Sequence, residues 1–248
     1  MKKIFCFLTV RSTSKRLKNK CLLNFGKEKV LEHVIKRCLY FKLNPIICTS
    51  NDFSDKKLLY YSYKYRIKIY RGSLNNKVLR WYNCCKKFNI KSFHTIDVDD
   101  PFFDVISVKK SMKLLQKNID IVKPSLRSSN GGASEGYSIK LKTLKKIIDS
   151  NDLYSKNKNT EMFEKYLKNT NLKVFRFPNS NYETKKIFRL TLDYFEDYIF
   201  LSCLKSVFSF RSSRRLINKF LDANLSLRKI NFFRNKEWKK KQKQIINS

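Results

Sequence analysis

Short apolar runs alternate with amphipathic stretches along the first 100 residues. Near-continuous apolar runs are typical of strands buried on both faces of a parallel sheet. Apolar positions three and four apart indicate helices with one buried face. The predicted strands are residues 4–10, 45–50, 67–72 and 91–100, and the predicted helices are residues 28–40, 55–65 and 74–88. This alternation predicts a doubly wound, mostly parallel, Rossmann-like α/β sheet.

The second half of the chain continues the same fold with weaker patterns. A helix is predicted over 107–118, strands over 119–124, 137–144 and 186–193, and a helix over 195–208. The stretch 128–136, rich in serine and glycine, is either a mobile loop over the site or a plain connector. Because no internal repeat is visible, we expect a single α/β domain over 1–210, with 211–248 as a basic helical segment or tail on the same domain.

The chain carries 55 Lys and Arg against 20 Asp and Glu, a formal net charge of +35. Clustered cations favour a polyanionic partner such as a nucleic acid. Here, however, the lysines are spread over the whole length, and Lys, Asn, Ile, Phe and Tyr are abundant together, a joint bias that an A/T-rich coding sequence also produces. The basic run 239–243 is either a solvated helix end or a phosphate or membrane-surface contact. Nucleic acid is therefore not the expected partner.

The seven cysteines are scattered, contain no C-x-x-C pair and lie mostly inside apolar runs. Such thiols behave as small hydrophobic side chains, which excludes a disulfide scaffold or a zinc ribbon and favours a reducing cytoplasm. The apolar stretch at the N-terminus is short and lacks a small-residue cleavage site, so it predicts a first strand rather than a signal peptide. No apolar run is long enough to predict a membrane span.

The loop after the first predicted strand is rich in cations and hydroxyl groups. It contains Arg11, Ser14 and Arg16, with Lys20 following. Ligands of open α/β sheets bind beyond the carboxyl ends of the strands, where such a loop offers fixed cations and backbone N–H groups to phosphates. Neither G-x-x-x-x-G-K nor G-x-G-x-x-G occurs, so the spacing matches no standard phosphate-binding loop.

Acidic residues end the fourth predicted strand, at Asp97, Asp99 and Asp100. Alternate residues of a strand point the same way, so Asp97 and Asp99 are expected to face one site. Clustered carboxylates favour a cation, and Mg²⁺ suits them. The alternative is a solvated turn in which Asp100 caps the next helix, with Asp104 in the same turn. Asp193 is either a second metal ligand or a helix N-cap.

The two histidines carry no catalytic pattern. His33 falls within a predicted helix and His94 within a predicted strand, so both are expected to be structural. No Ser/His/Asp or Cys/His arrangement is identifiable.

Six colinear motifs resemble those of the cytidylyltransferases that activate acidic sugars, such as the acylneuraminate and KDO enzymes. The similarity is greatest to the branch named after a spore-coat polysaccharide protein. The chain has "TVRSTSKRLKNKCL" where the family opens with "QARxGSTRLPGKxL". The other motifs are "GKEKVLEHVIKRC", "YRGSLNNKVLRWYNCCKKFNI", "IDVDDPFFD", "RLTLDYFEDYIFL" and "FLDANLSLRKIN". The resemblance covers nearly the whole chain.

The resemblance implies a nucleotide-diphospho-sugar transferase fold and a set of site residues. The residues that would bind CTP or line its pocket are Arg11, Ser14, Arg16, Lys20, Thr49, Ser50, Arg71, Gly72 and Ser73. Asp99 and Asp193 would bind Mg²⁺, and Arg11, Lys20 and Asp99 would be the catalytic residues. A sugar oxygen would attack the α-phosphorus of CTP and release pyrophosphate, making a CMP-sugar for surface polysaccharide. The resemblance is also compatible with a homodimer.

Four positions depart from the family pattern. Thr13 and Val98 replace glycines, and Lys18-Asn19 replaces a Pro-Gly pair. Glycine permits φ > 0 and close approach of the backbone to a phosphate; Asn19 tolerates such a conformation, whereas a β-branched residue adopts it poorly. We therefore expect strain at Thr13 and crowding of the metal site by Val98. These departures leave two alternatives: an inactive homologue that binds a nucleotide or sugar and, less favoured, a basic nucleic-acid-binding protein.

Overall fold

The computed structural model describes residues 3–14, 16–126, 135–168 and 170–247. Within these residues the strands are Phe5–Thr9 (β1), Asn24–Phe25 (β2), Glu28–Lys29 (β3), Asn44–Ser50 (β4), Lys68–Gly72 (β5), Ser92–Asp97 (β6), Ile121–Lys123 (β7), Ser138–Lys140 (β8) and Val174–Arg176 (β9). The helices are Val30–Tyr40 (α1), Leu59–Lys64 (α2), Lys77–Phe88 (α3), Val105–Gln116 (α4), Leu141–Ser150 (α5), Phe195–Val207 (α6), Arg214–Ala223 (α7) and Arg234–Asn247 (α8). Short 3₁₀ helices cover Lys20–Leu22, Phe53–Leu58, Phe163–Leu167 and Leu225–Ile230.

The main sheet has the strand order β5-β4-β1-β6-β8-β7-β9. Strands β5, β4, β1 and β6 run parallel, as do β7 and β9, and β8 is antiparallel to both of its neighbours. The predicted α/β fold with a mostly parallel sheet is therefore confirmed. Since parallel strands end together, the loops after β1, β4, β5 and β6 meet at one edge of the sheet.

Both faces of the sheet are covered by helices, as the apolar runs predict. Along β1, Leu8 belongs to the buried cluster that includes Val34 of α1 and Leu201 of α6. Phe7 belongs to the opposite cluster, with Trp81 of α3 among its members. Neighbouring residues of one strand thus enter different cores, which is why the run has no polar alternation.

Two predicted strands in the second half are wrong in whole or in part. The alternation over 137–144 predicts one long strand, but only Ser138–Lys140 pairs, and α5 begins at Leu141. Leu144, Ile147 and Ile148 are fully buried at helical spacing, so the 3.6-residue period of the following segment prevails.

The segment 186–193 forms no strand, although its alternation is real. Phe188, Leu190 and Leu192 are each at most 2% exposed. The segment crosses the end of β6 instead of joining the ladder, and the Leu192 N–H donates to Asp99 O at 2.8 Å. Arg189 and Asp193 are buried as well, so only the apolar residues alternate and the burial does not. A pattern of apolar residues does not distinguish such a segment from a strand.

Residues after 210 add two helices to the rest of the chain. Ile217 and Leu221 of α7 are fully buried in the same cluster as α1 and α6. The proposed boundary at residue 210 remains a prediction.

None of the described helices is long and apolar enough to cross a membrane. All seven cysteines have free thiols. Of the predicted loop at 128–136, all but the last two residues lie outside the part that the structure describes.

Candidate active site

Four of the predicted site residues, from distant parts of the chain, meet at the carboxyl edge of the sheet. The ammonium of Lys20 donates to Oδ2 of Asp99 and, at 2.9 Å, to Oδ1 of Asp193. Nη2 of Arg16 donates to the same Oδ1 of Asp193 at 2.7 Å. The loop after β1, the turn after β6 and the segment before α6 thus converge on one ion-paired group.

The charges of this group reinforce one another. Burial alone would lower the pKa of Lys20, but the carboxylates of Asp99 and Asp193 raise it above its ordinary value. Burial alone would raise the pKa of Asp193, but Lys20 and Arg16 hold it below its usual range. At neutral pH the group is therefore an ion-paired cluster of charged side chains, partly shielded from water.

The three acids at the end of β6 and in the turn after it form a second cluster that shares Asp99 with the first. Carboxylate oxygens of Asp97, Asp99 and Asp100 lie within 4.8 Å of one another. Burial, and then the charge of Asp99, raises the pKa of Asp97 to about 7. Carboxylates held this close favour a cation, and a set of hard oxygen donors fits Mg²⁺. The residues present are thus compatible with a divalent ion.

The helix-capping alternatives for Asp100 and Asp193 are wrong. Asp104 caps α4, because its carboxylate accepts from the Ile106 N–H at 3.0 Å. Helix α6 begins at Phe195, and the acid that serves its first turn is Asp197, which accepts the N–H groups of Asp193 and Tyr194 at 3.0 Å each. Neither Asp100 nor Asp193 is therefore the N-cap of the helix that follows it.

Asp193 is anchored from behind by an arginine that the sequence analysis did not single out. Arg189 is fully buried, and its Nη2 donates to Oδ2 of Asp193 at 3.0 Å. One carboxylate oxygen of Asp193 thus faces the protein interior, and the other faces Lys20 and Arg16.

A buried carboxylate, Asp55, ties the loop after β1 to the end of β4. Its Oδ1 accepts from the N–H and the hydroxyl of Ser12, each at 2.7 Å. Its Oδ2 accepts from the hydroxyls of Thr49 at 2.8 Å and Ser50 at 2.5 Å. Burial would raise the pKa of Asp55, but these donors lower it. An acid followed by two lysines is typical of an exposed face, so no sequence signal indicated this role.

The side chains of Thr49 and Ser50, which were predicted to line the nucleotide pocket, are fully buried. Through Asp55 they hold the loop after β1. Arg71 supports the same turn from β5: its Nε donates to Ser50 O at 3.2 Å and its Nη2 to Asp52 O at 2.7 Å. Gly72 pairs with Ser50 in the β4–β5 ladder. These four predicted residues form the framework of the edge beside β4.

Arg11 lies on the opposite flank from Arg16. Its Nη2 forms an ion pair with Oε2 of Glu161 at 3.1 Å, and its Nη1 donates to Leu74 O at 3.3 Å. Lys77, followed by Arg11, lowers the pKa of Glu161, whose side chain is 47% exposed. Glu161 and Lys77 are charged neighbours of the site that the sequence analysis did not name, although Lys77 lies within the motif "YRGSLNNKVLRWYNCCKKFNI".

The remaining predicted hydroxyls make local contacts. The N–H of Ser14 donates to Ser12 O at 3.0 Å, which tightens the loop after β1. Ser73 Oγ donates to Lys156 O at 2.7 Å and so joins the turn after β5 to a distant segment.

Two of the four departures from the family pattern are harmless in this backbone. Among the described residues, the non-glycine positions with positive φ include Asn19 (φ 52°, ψ 29°) but not Thr13. Val98 is 2% exposed and belongs to the core cluster that contains Phe102 and Phe103. The expected strain at Thr13 is therefore wrong, whereas Asn19 adopts the left-handed conformation that asparagine tolerates. Crowding of the metal site by Val98 remains a prediction.

Both histidines are buried among hydrogen-bond partners outside this ion-paired group. His33 Nδ1 lies 3.0 Å from Oε1 of Glu28. His94 Nε2 lies 2.7 Å from Glu135 O, and its Nδ1 lies 2.8 Å from Ser138 Oγ. Burial lowers the pKa of each ring to about 4, so both are neutral at pH 7.

Comparison with known protein families gives a match to the family described as cytidylyltransferase, over residues 6–238. The chain is also 27% identical over 235 residues to an uncharacterized protein of Methanocaldococcus jannaschii, a match that covers 92% of this chain and 94% of the relative.

Solved structures show the same fold. A cytidylyltransferase from Leptospira borgpetersenii serovar Hardjo-bovis superposes with a TM-score of 0.75 at 23% identity, covering 92% of this chain and 96% of that structure. A CMP:2-keto-3-deoxy-manno-octonic acid synthetase complexed with CTP gives a TM-score of 0.62 at 11% identity, covering 83% of this chain and 99% of the other. Because the family match spans nearly the whole sequence, the chain belongs to the cytidylyltransferase family and is a nucleotidyltransferase.

Proposed function

We propose that the protein is a Mg²⁺-dependent cytidylyltransferase that transfers CMP from CTP to an acidic sugar and releases pyrophosphate, supplying a CMP-sugar for surface polysaccharide. The observation that carries this proposal is Lys20, whose ammonium bridges Asp99 and Asp193 next to the cluster of Asp97 and Asp100. Cations suited to phosphates and carboxylates suited to a metal ion lie side by side at the carboxyl edge of a parallel sheet.

Arg11, Arg16 and Lys20 would bind the triphosphate. Each is already paired with a carboxylate in this structure, Arg11 with Glu161 and the other two with Asp193. Entry of CTP would exchange these internal partners for phosphate oxygens, which cations bind strongly. As pyrophosphate leaves, the same cations would stabilise the negative charge that develops on it.

Asp99 and Asp193 would hold Mg²⁺, with Asp97 beside them. A bound Mg²⁺ would neutralise phosphate charge and orient the α-phosphorus for attack by the acceptor oxygen. The chain's part in catalysis is then mainly positioning, which the Asp55 network assists because it fixes the loop after β1 against β4.

Cytoplasmic location and an acidic acceptor are part of the same proposal. The acidic acceptor is supported by the motif resemblance to enzymes that activate acidic sugars, and by the cations on both flanks of the site. The six buried, free cysteines are what a reducing compartment permits.

The test is pyrophosphate release from CTP and Mg²⁺ with a panel of keto-acid sugars. We expect turnover with at least one sugar, and expect Asp99→Ala to abolish it. Asp104→Asn is the matched control: it alters an acid of the same motif that caps α4, so it should lower Tm but retain turnover. No turnover with any sugar, together with no rise in Tm on adding CTP, would refute the proposal.

The two alternatives give different results in the same assays. A homologue that only binds nucleotide would show a CTP-dependent rise in Tm without pyrophosphate release. A nucleic-acid-binding protein would bind RNA or DNA with steep salt dependence, and Asp99→Ala would not change that binding. The enzyme is preferred over the inactive homologue because two of the substitutions that suggested lost activity are accommodated by the fold: Thr13 is not at positive φ, and Val98 packs in the core.

A further inference from the structure

Asp193 belongs to no regular element, yet its carboxylate has a defined orientation. It lies in the segment 187–194, which forms no strand, one residue before the N-cap of α6. A catalytic carboxylate on irregular backbone needs support from side chains, because geometry must be held closely for transfer chemistry. The support is found in a buried group that we call the Arg189 clamp: Arg189, Asp197, Asn231 and Asn235.

Arg189 connects the two acids of the segment. Its Nε donates to both oxygens of Asp197, at 2.9 and 3.1 Å, while its Nη2 donates to Oδ2 of Asp193 at 3.0 Å. All three side chains are at most 5% exposed. The planar guanidinium has donors in a fixed fork, so a single side chain holds both carboxylates in a set relative orientation.

Residues close to the C-terminus hold this arginine in turn. Nδ2 of Asn231 donates to Arg189 O and to Oδ1 of Asp197, each at 2.9 Å. Asn235 accepts from Nη1 of Arg189 at 3.4 Å. The ring of Trp238 lies 5.7 Å from the guanidinium carbon, at cation–π distance.

We propose that Arg189 is a positioning residue for the transfer reaction, and that the segment 231–238 completes the site by locking it in place. With Oδ2 of Asp193 held by Arg189, the other oxygen is directed to Lys20 and Arg16. The expected loss of transfer activity when Arg189 is replaced rests on the proposed function. The expected change in the chemical reactivity of Lys20 does not.

The primary test is the reactivity of Lys20 toward acetic anhydride, measured by competitive labelling and mass spectrometry of the unliganded protein. In Arg189→Lys the charge remains but the fork is lost, so Asp193 is released and Lys20 labelling should rise at least threefold. Lys205 is an internal reference, since it is paired with Glu28 at 2.8 Å and its side chain is 13% exposed, against 15% for Lys20. Its labelling should not change.

Arg37→Lys is the matched control variant. Arg37 is equally buried, but its guanidinium donates to the backbone carbonyls of Phe103, Phe210 and Ser212, away from the ion pairs of Lys20. It should lower Tm while leaving Lys20 labelling and turnover within twofold of wild type. Arg189→Lys should also reduce kcat/KM for CTP at least tenfold.

The outcomes separate the two proposals. If wild type releases pyrophosphate but Arg189→Lys leaves Lys20 labelling and kcat/KM unchanged, or Arg37→Lys changes them equally, the positioning role is refuted and the enzyme remains. If wild type is inactive with every sugar, the proposed function fails, and the labelling still decides whether Arg189 orients Asp193. Should Arg189→Lys fail to fold, Asn235→Ala retains the fork and is expected to raise Lys20 labelling about twofold; no rise refutes the proposal.

Discussion

The two sides of the site are built in different ways. On the sheet side, Asp97 ends β6 and Asp99 follows it, and the pairing of this strand with β1 continues through the bond from the Val98 N–H to Thr9 O at 3.3 Å. On the clamp side, Asp193 lies on irregular backbone and is oriented by the Arg189 clamp. At one edge of the sheet, Asp97 and Asp99 are thus positioned by the backbone pairing of β6, whereas the carboxylate of Asp193 is positioned by hydrogen bonds to buried side chains.

The largest expected effect comes from removing the cation that joins the two sides. Lys20→Met should reduce turnover by a factor on the order of 10²–10³, because it removes both the bridge and a donor to developing phosphate charge. Steady-state pyrophosphate release measures the loss. Lys57→Met is the control, since Lys57 is exposed and donates to Asn19 Oδ1 near the same loop. Equal activity of the two variants would contradict a central role for Lys20.

A second expected effect concerns the framework of the sheet side. Asp55→Asn places an amide group against five hydroxyl and N–H donors, so it should lower the free energy of unfolding by about 2–3 kcal/mol and raise KM for CTP. Denaturant titration gives the first quantity. Asp52→Asn, in the same turn but only half-buried, should lower the free energy of unfolding less than Asp55→Asn does.

Val98→Gly restores the glycine of the family pattern on the sheet side of the site. Because Val98 packs in the core, the change should lower the free energy of unfolding by about 2 kcal/mol and should not raise kcat. Denaturant titration and pyrophosphate release test the two parts. A gain in kcat would mean that Val98 does crowd the metal site.

Acid should weaken the sheet side before the clamp side. The pKa of His94 in β6 is about 4 when folded and near 6.5 when unfolded, so the unfolded chain binds more protons as the pH falls through that range. Stability is therefore lost between pH 6.5 and 4, at up to about 1.4 kcal/mol per pH unit for each such histidine, and His33 adds to the effect. Asp193 has a lowered pKa, so its contribution is lost only below its unfolded value of 3.8.

Asp97 has the opposite effect on the pH dependence of stability. Because its pKa is raised in the folded protein, the folded chain binds a proton at a pH at which the unfolded chain does not. The measurement is therefore made in Asp97→Asn, by denaturant titration from pH 7 to 4, with NMR of the histidine rings. A ring resonance of His94 that titrates near pH 6.5 in the folded protein would contradict the prediction.

The smallest expected effect is at Asn19, which precedes the 3₁₀ helix bearing Lys20. Because φ of Asn19 is 52°, a left-handed value that glycine adopts without strain, Asn19→Gly should change the free energy of unfolding by no more than a few tenths of a kcal/mol. Asn19→Ala should lower it by about 1 kcal/mol, because the Cβ of alanine disfavours this conformation. Thermal unfolding of the two variants separates them. Equal stability would show that the loop relaxes around this position.

The difference between the two sides also explains what the sequence could predict. The strands that carry the sheet side are continuous apolar runs such as 4–10, and the acids that follow β6 are adjacent in sequence, so both are visible in the pattern. Arg16, Lys20 and Asp193 were located through motif resemblance, because their meeting depends on chain crossings that spacing does not encode.

The clamp was not predictable in the same way. Arg189 and Asp197 lie in the motif "RLTLDYFEDYIFL" and Asn231 in the motif "FLDANLSLRKIN", but the resemblance assigned them no role, and Asn235 lies outside the motifs. Such residues are mostly exposed in proteins, so their burial follows from tertiary pairing alone. The false strand over 186–193 has the same origin, since Phe188 and Leu190 alternate inward without a partner strand.

The hydrogen bond from the Leu192 N–H to Asp99 O joins the two sides through backbone atoms. Exchange of the Leu192 amide proton with deuterium therefore requires this bond to open. The exchange rate measures how often the sheet side and the clamp side of the site separate. Slow exchange in the absence of nucleotide would mean that the active site is assembled before its substrate arrives, and that binding selects a geometry rather than creating one.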